Sequence, residues 1–402
     1  MSSFLQLVLA LTAIILCAKA ASLISIRLGQ PSVLGELLVG ILLGPTLLDL
    51  THLPFVTNAH LTEVLIELGE LGVLLLMFIA GLELHLSELA RNTRVSALAG
   101  VLGVVLPVSL GWGSGALFGF SPNNAMFLGM VLGATSVSIS AQTLIELKVL
   151  RTRVGLGLLG AAVFDDILVI LLLSVVLATL SGGGGLGSVV LIFVKIAVFL
   201  GLSAAFGIWV LPWLSRKVAN LPVSQGPVSF ALVILMLYGL SAELLGGMAA
   251  ITGAFLAGLM FARTPEKAVI ERGVHAVAYS LFVPIFFVSI GLGINLREVS
   301  LDILWLMLAI SAVAILGKLL GSGLGARMGG FSWKESMQLG AGMVSRGEVG
   351  LIVAAIGSQA GYIKADELSA IVGMVVITTL VTPPMLRALF TPAVKARAEE
   401  PA

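Results

Sequence analysis

The chain has 402 residues, of which 58% are hydrophobic and only 11% charged, with a formal net charge of +1. A soluble domain of this length usually carries about a quarter charged residues. There is too little polar surface here to cover a water-facing globule, so the chain reads as a polytopic membrane protein, and its one cysteine, Cys17, excludes an intrachain disulfide framework and a thiolate metal cluster.

A helix needs about 20 apolar residues to cross a bilayer. Polar or Gly/Pro-marked breaks divide the sequence into thirteen predicted spans at 3–25, 31–48, 63–84, 95–118, 123–145, 154–181, 186–214, 224–243, 246–262, 274–294, 300–326, 335–359 and 366–390. The first lacks a basic stretch before it, and its apolar run continues past AKA at 18–20, so it reads as a retained helix and not as a cleaved signal peptide. Cys17 within it reads as a buried apolar thiol. The second span opens on Pro31 and carries Glu36, with GILLG (40–44) as a small-residue contact for a neighbouring helix. The third contains LIELGELGVLLL, which sets Glu67 and Glu70 three apart on one face, and ends at Glu83. These acids, with Glu243 at the end of the eighth span, either line a funnel or snorkel and hydrogen-bond locally.

The fifth span is interrupted by GATSVSISAQ (133–142), where Thr135, Ser136, Ser138, Ser140 and Gln142 break an apolar run. The sixth opens with GLGLLG (155–160), which matches the dinucleotide fingerprint but follows no predicted strand; close helix contact is the better reading. Further along the same span, AAVFDDILVI (161–170) places Asp165 and Asp166 side by side in an otherwise apolar stretch. GGGG at 182–185 reads as a tight outer turn. The eleventh span holds Lys318 in AILGKLLGSG, and the twelfth is broken by GMVSRGEVGL (342–351), where Ser345, Arg346 and Glu348 meet. A short charged tail follows the thirteenth, with no soluble regulatory domain expected. The four histidines, His52, His60, His85 and His275, fall in loops or at helix ends and form no ligand cluster.

The basic residues give an orientation. With the N-terminus outside, sixteen of the 22 lysines and arginines fall on the cytoplasmic side and two, Arg297 and Lys364, outside. Lys19, Lys195, Lys318 and Arg346 fall within spans. That asymmetry follows the positive-inside rule and predicts an N-out, C-in integral membrane protein; the expected membrane is a bacterial inner one.

A charge near the bilayer centre costs at least about 2.5–3.5 kcal/mol on insertion scales, and persists when it is paired, faces a wet cavity or does work. The two aspartates lie about 11–12 residues from the cytoplasmic end of their span, roughly 17 Å deep. Lys318 lies roughly 14 Å deep by the same measure. Adjacent helical residues point about 100° apart, so one aspartate can be held by a cation while the other faces a cavity. A Lys–Asp pair softens the desolvation cost of both partners. Burial disfavours the charged form of each group and brings proton exchange into reach. Such a site holds protons or a small cation but not both; the bland alternative is a static ion pair.

The polar breaks suit discontinuous helices whose freed carbonyls and half-helix ends ligate cations. The bland alternatives are interhelical hydrogen bonding by the Thr/Ser cluster and a structural Arg346–Glu348 pair. The breaks fall on the fifth and twelfth spans, an odd offset, so the two run in opposite directions as an inverted repeat requires.

QPSVLGELLVGILLGP (30–45), ELGVLLLMFIAGLEL (70–84), GATSVSIS (133–140), VFDDIL (163–168), LFVPIFFVSIGL (281–292), GKLLG (317–321) and SRGEVGLIVA (345–354) occur in order and on matching spans. Together they resemble the monovalent cation–proton antiporter superfamily, in its NapA-like Na⁺/H⁺ antiporter branch, over nearly the whole chain. The resemblance implies an all-α polytopic fold of about thirteen transmembrane helices, with inverted repeats and two crossed discontinuous helices (the NhaA/NapA-like antiporter fold). It implies a dimerisation panel near 3–84 and 224–294, a core transport bundle near 95–181 and 300–390, and a linker helix near 186–214, with the core moving against the panel like an elevator. It makes Asp166 the main ligand of the transported cation, with Thr135 and Ser136 at the crossing, and pairs Asp165 with Lys318. Two acids with this lysine imply electrogenic exchange. Relatives of the Kef type carry a cytosolic nucleotide-binding domain, and none is expected here.

The expected function is exchange of H⁺ for Na⁺, with Li⁺ or K⁺ as further cations and a homodimer as the assembly. No enzyme activity, cofactor, nucleotide or nucleic acid is expected. A K⁺/H⁺ antiporter is the alternative. More distant are a Na⁺-coupled organic-solute symporter, which wants a larger polar or aromatic cavity than 6% aromatics suggests, and a passive channel, which wants a repeated filter lining.

Overall fold

Helix starts are written locally in this chain. Ser2, Ser121, Ser300 and Ser332 each accept a backbone N–H from the first turn of a helix. Ser332 does so reciprocally with Glu335 in a capping box, which satisfies donors that the helix leaves unpaired. A computed structural model describes residues 2–50, 53, 56, 60–84, 92–180, 186–292 and 300–398, with backbone alone at Ser174, 177–180, Leu186, Ser188, Val189, Glu348, Ala355, Gln359, Ala365 and 391–398. The expected turn at 182–185, His52, His85, Arg91 and Arg297 lie outside these residues.

Every regular element among the described residues is helical. In chain order they are α1 Ser3–Arg27, α2 Ser32–Leu43, α3 Leu61–Leu82, α4 Thr93–Leu117, α5 Pro122–Gly133, α6 Val137–Glu146, α7 Arg153–Leu180, α8 Leu186–Ala205, α9 Leu211–Ala219 and α10 Gly226–Ser241. There follow α11 Ala250–Phe261, α12 Lys267–Val277, α13 Val283–Leu292, α14 Leu301–Met328, α15 Trp333–Gly342, α16 Glu348–Gln359 and α17 Ala365–Ala398. Short π-helical turns, Phe206–Val210 and Ala278–Phe282, join α8 to α9 and α12 to α13, and a third, Ala242–Gly246, extends α10.

Ten helices among the described residues are long and apolar enough to cross a membrane, so the chain is an all-helical integral membrane protein. The predicted spans at 31–48 and 246–262 hold helices of 12 residues, about 18 Å at 1.5 Å per residue, short of a 30 Å hydrocarbon core. The span expected at 274–294 starts earlier, at Lys267, because KAVIERGVH forms an amphipathic first stretch whose Ile270 and Val274 are buried. The charged segment after 390 is not a loose tail: α17 continues through it to Ala398. Cys17 is half-buried and not enclosed.

Close approach of helices positions the interior. Gly317, Gly321 and Gly325 recur at four-residue spacing on α14, and a Cβ on each would meet Pro107, Leu102 or Leu98 of α4. Without side chains in the way, α14 lies directly along α4. Gly40 of α2 meets Val288 and Gly291 of α13 in the same manner. GLGLLG proves to be helical, with Gly157 against Phe331 and Leu339.

Candidate functional site

The two polar interruptions end helices and meet each other. Between α5 and α6 the backbone is extended at Ala134 and Ser136. Between α15 and α16 it leaves the helix from Met343 to Gly347. Ser136 N–H donates to Ser345 O at 2.9 Å, and Ser345 Oγ donates back to Ser136 O at 2.6 Å. Ser140 Oγ donates to Gly342 O at 2.5 Å, and Ser136 Oγ lies 3.0 Å from Ser138 Oγ. Backbone groups freed by the two breaks thus satisfy one another, as a buried interior demands. Gly347 has no side chain because a Cβ there would strike Ser136.

Arg346 is fully buried beside these breaks. Its guanidinium donates to Met343 O at 3.2 Å, to Val344 O at 2.8 Å and to Ala314 O at 3.0 Å. It therefore covers the carbonyls that the end of α15 leaves open, and ties them to α14. Its own carbonyl accepts from Thr379 Oγ1 at 2.9 Å. The Glu348 side chain lies outside the described residues.

The aspartates of α7 part company. Asp165 is fully buried and forms an ion pair with the equally buried Lys318 of α14. Arg346 also acts on Asp165 electrostatically, so two buried cations face this carboxylate. The Thr135 hydroxyl lies beside Asp165 without the geometry of a full hydrogen bond, and Asp165 Oδ2 likewise has no hydrogen-bond partner among the described residues. Asp166 points elsewhere: its Oδ2 accepts from Thr252 Oγ1 of α11 at 2.9 Å. It also lines a pocket whose open space is about one water in size, with apolar walls from Met77, Val137, Leu159, Ile251 and Phe255.

Asp165, Asp166, Lys318, Thr135, Ser136, Ser138, Ser345 and Arg346 are thus gathered in one buried region. Thr252 was missed in the sequence. It sits in an unremarkable apolar run, and its only signal is a hydrogen bond to a residue 86 positions away.

A second polar chain runs at the far end of α6. Glu146 accepts from Ser32 N–H at 2.7 Å, from Ser32 Oγ at 2.5 Å and from Gln142 Nε2 at 2.8 Å. Gln142 Oε1 accepts from Tyr279 OH at 2.6 Å, and Lys19 Nζ donates to Tyr279 O at 2.8 Å. Glu36 is buried nearby and accepts from Ser22 Oγ at 2.9 Å. Of the remaining acids, Glu67, Glu70 and Glu243 are exposed, with Glu70 in electrostatic reach of the other two.

Comparison with known proteins fits this arrangement. Residues 9–391 match the family described as "Sodium/hydrogen exchanger, transmembrane". The chain is 45% identical over 377 residues to the Na(+)/H(+)-K(+) antiporter GerN of Bacillus cereus, covering 94% of each protein. It is 37% identical over 376 residues to a Na(+)/H(+) antiporter of Enterococcus hirae, covering 93% of this chain and 95% of that one. In fold it is similar to the sodium proton antiporter MjNhaP1 of Methanocaldococcus jannaschii, with a TM-score of 0.67 at 16% identity over 98% of this chain and 99% of that one. With residues 9–391 matched and a charged cluster buried among the helix breaks, the chain belongs to the sodium/hydrogen exchanger family of membrane transporters.

Proposed function

We propose that this chain is a secondary antiporter that exchanges H⁺ for Na⁺ across the membrane, with Asp166 as the carrier carboxylate. The observation that carries the reading is the division of labour between the paired acids. Asp165 is committed to Lys318, whereas Asp166 opens on a pocket of about one water in size. Such a pocket suits a monovalent ion and not an organic solute. Two acids and two buried cations, Lys318 and Arg346, lie in this region, so the set is formally neutral when all four are ionised. Thr135 and the carbonyls near Ser136, Ser138 and Ser345 supply neutral oxygens around the acids.

Thirteen spans with the N-terminus outside and the C-terminus in the cytoplasm agree with the basic-residue asymmetry. In this reading, the fifth and twelfth spans are crossed, broken helices of an inverted repeat. The bundle formed by α4–α7 and α14–α17 moves as an elevator core against a panel of α1–α3 and α10–α13, which also forms the homodimer contact. The α8–α9 helix links them. Exchange is electrogenic, driven by proton influx, in the inner membrane of a bacterium. The name of the Bacillus cereus relative, a Na(+)/H(+)-K(+) antiporter, favours K⁺ as a second cation.

The test is proton flux in proteoliposomes under an imposed pH gradient, with NaCl, KCl or LiCl added. The wild type is expected to collapse the gradient with Na⁺, and Asp166→Asn to lose this while remaining folded. Normal exchange by folded Asp166→Asn protein removes Asp166 as the carrier.

A further inference from the structure

The carrier carboxylate is bound by a helix that contains neither of the breaks. Thr252 stands in the first turn of α11, and α11 lies against α3. Its hydroxyl reaches across to Asp166 Oδ2 on α7, at 2.9 Å. Both residues are buried, Thr252 at 3% and Asp166 at 6% exposure, so the bond is made in a low-dielectric interior where polar groups must find partners. The other residues that α11 and α3 bring to this pocket, Met77, Ile251 and Phe255, have no side-chain oxygen. A hydroxyl has one proton and two lone pairs. With the proton given to Asp166, the lone pairs remain for a cation. Two oxygens 2.9 Å apart are close enough to ligate one small ion together.

We infer that Thr252 is a cation ligand supplied from outside the moving bundle, so that the cation site is complete only while α7 is docked on α11. The inference rests on the carrier role given to Asp166. If α7 moves with the elevator core and α11 stays with the panel, Asp166 meets Thr252 in one facing state and leaves it in the other. The cation then has one more protein oxygen on one side of the membrane than on the other. Thr252 becomes a source of unequal affinity at the two faces, and a determinant of which small cation is preferred at one of them.

The measurement is the apparent Na⁺ KM for exchange in everted and in right-side-out vesicles, for wild type, Thr252→Val, Thr252→Ala and Thr252→Ser. Melting curves accompany each variant, and Asp166→Asn serves as the carrier control. Valine keeps the shape and removes the oxygen; alanine carries the comparison if valine impairs folding. The expected result is a rise in KM of roughly three- to tenfold at one face only, the size of one lost polar contact, with serine restoring the wild-type value. An unchanged KM at both faces overturns the inference. So does an equal rise at both faces, or a serine variant as impaired as valine, since either marks a structural role. Exchange retained in Asp166→Asn instead overturns the carrier reading on which the inference stands.

Discussion

Side by side on α7, Asp165 and Asp166 find different partners because successive helical side chains diverge by about 100°. One meets Lys318, the other Thr252. The pair formed by Asp165 is costly to break from one side. Lys318→Ala removes the ion-pair partner of a carboxylate that has no exposure to water, and is expected to destabilise the protein by about 3–5 kcal/mol. Lys318→Met combined with Asp165→Asn removes both charges and is expected to recover most of that loss. Thermal melting in detergent distinguishes the two, and equal melting temperatures for single and double variants would show that the pair is not what holds this region. At this scale the charges were legible in the sequence, because a membrane makes each one conspicuous. Thr252 was not, since a lone threonine in AAITGAF has no such cost attached.

The helices themselves were legible where polar residues cluster. GATSVSISAQ and GMVSRGEVGL each mark a break. The lengths were less so. The basic and acidic residues of KAVIERGVH read as loop, but their amphipathic spacing buries Ile270 and Val274 and lets α12 begin at Lys267. Gly321 shows how one element sets the place of another. A Cβ there would meet the Leu102 carbonyl of α4, so Gly321→Ala forces α14 and α4 apart or bends one of them. Overpacking of this kind costs about 1–3 kcal/mol, and Lys318 rides on the same helix. The stability of Gly321→Ala, read by thermal melting, is expected to fall by that amount, while Gly113→Ala, where a Cβ meets nothing within 4 Å, is expected to melt no lower than wild type.

Across the whole molecule, the distribution of lysine and arginine was enough to propose an orientation, because lipid allows few alternatives. What joins distant helices was hidden, since no periodicity records which far-off side chain a helix end will meet. Glu146 is the clearest case. Pro31 gives α2 no side-chain cap, and the carboxylate on Ser32 N–H comes from α6. Glu146→Gln keeps the shape and weakens this cap, with an expected loss of about 1 kcal/mol, read as faster amide exchange at Ser32; unaltered exchange there would mean the cap contributes nothing. The cap lies 114 positions downstream of the residue it serves. Chains are made and enter the bilayer from the N-terminus, so α2 is in place before the ribosome has reached its cap. The second helix to be synthesised is finished only when the sixth arrives, and the order of biogenesis is not the order of completion.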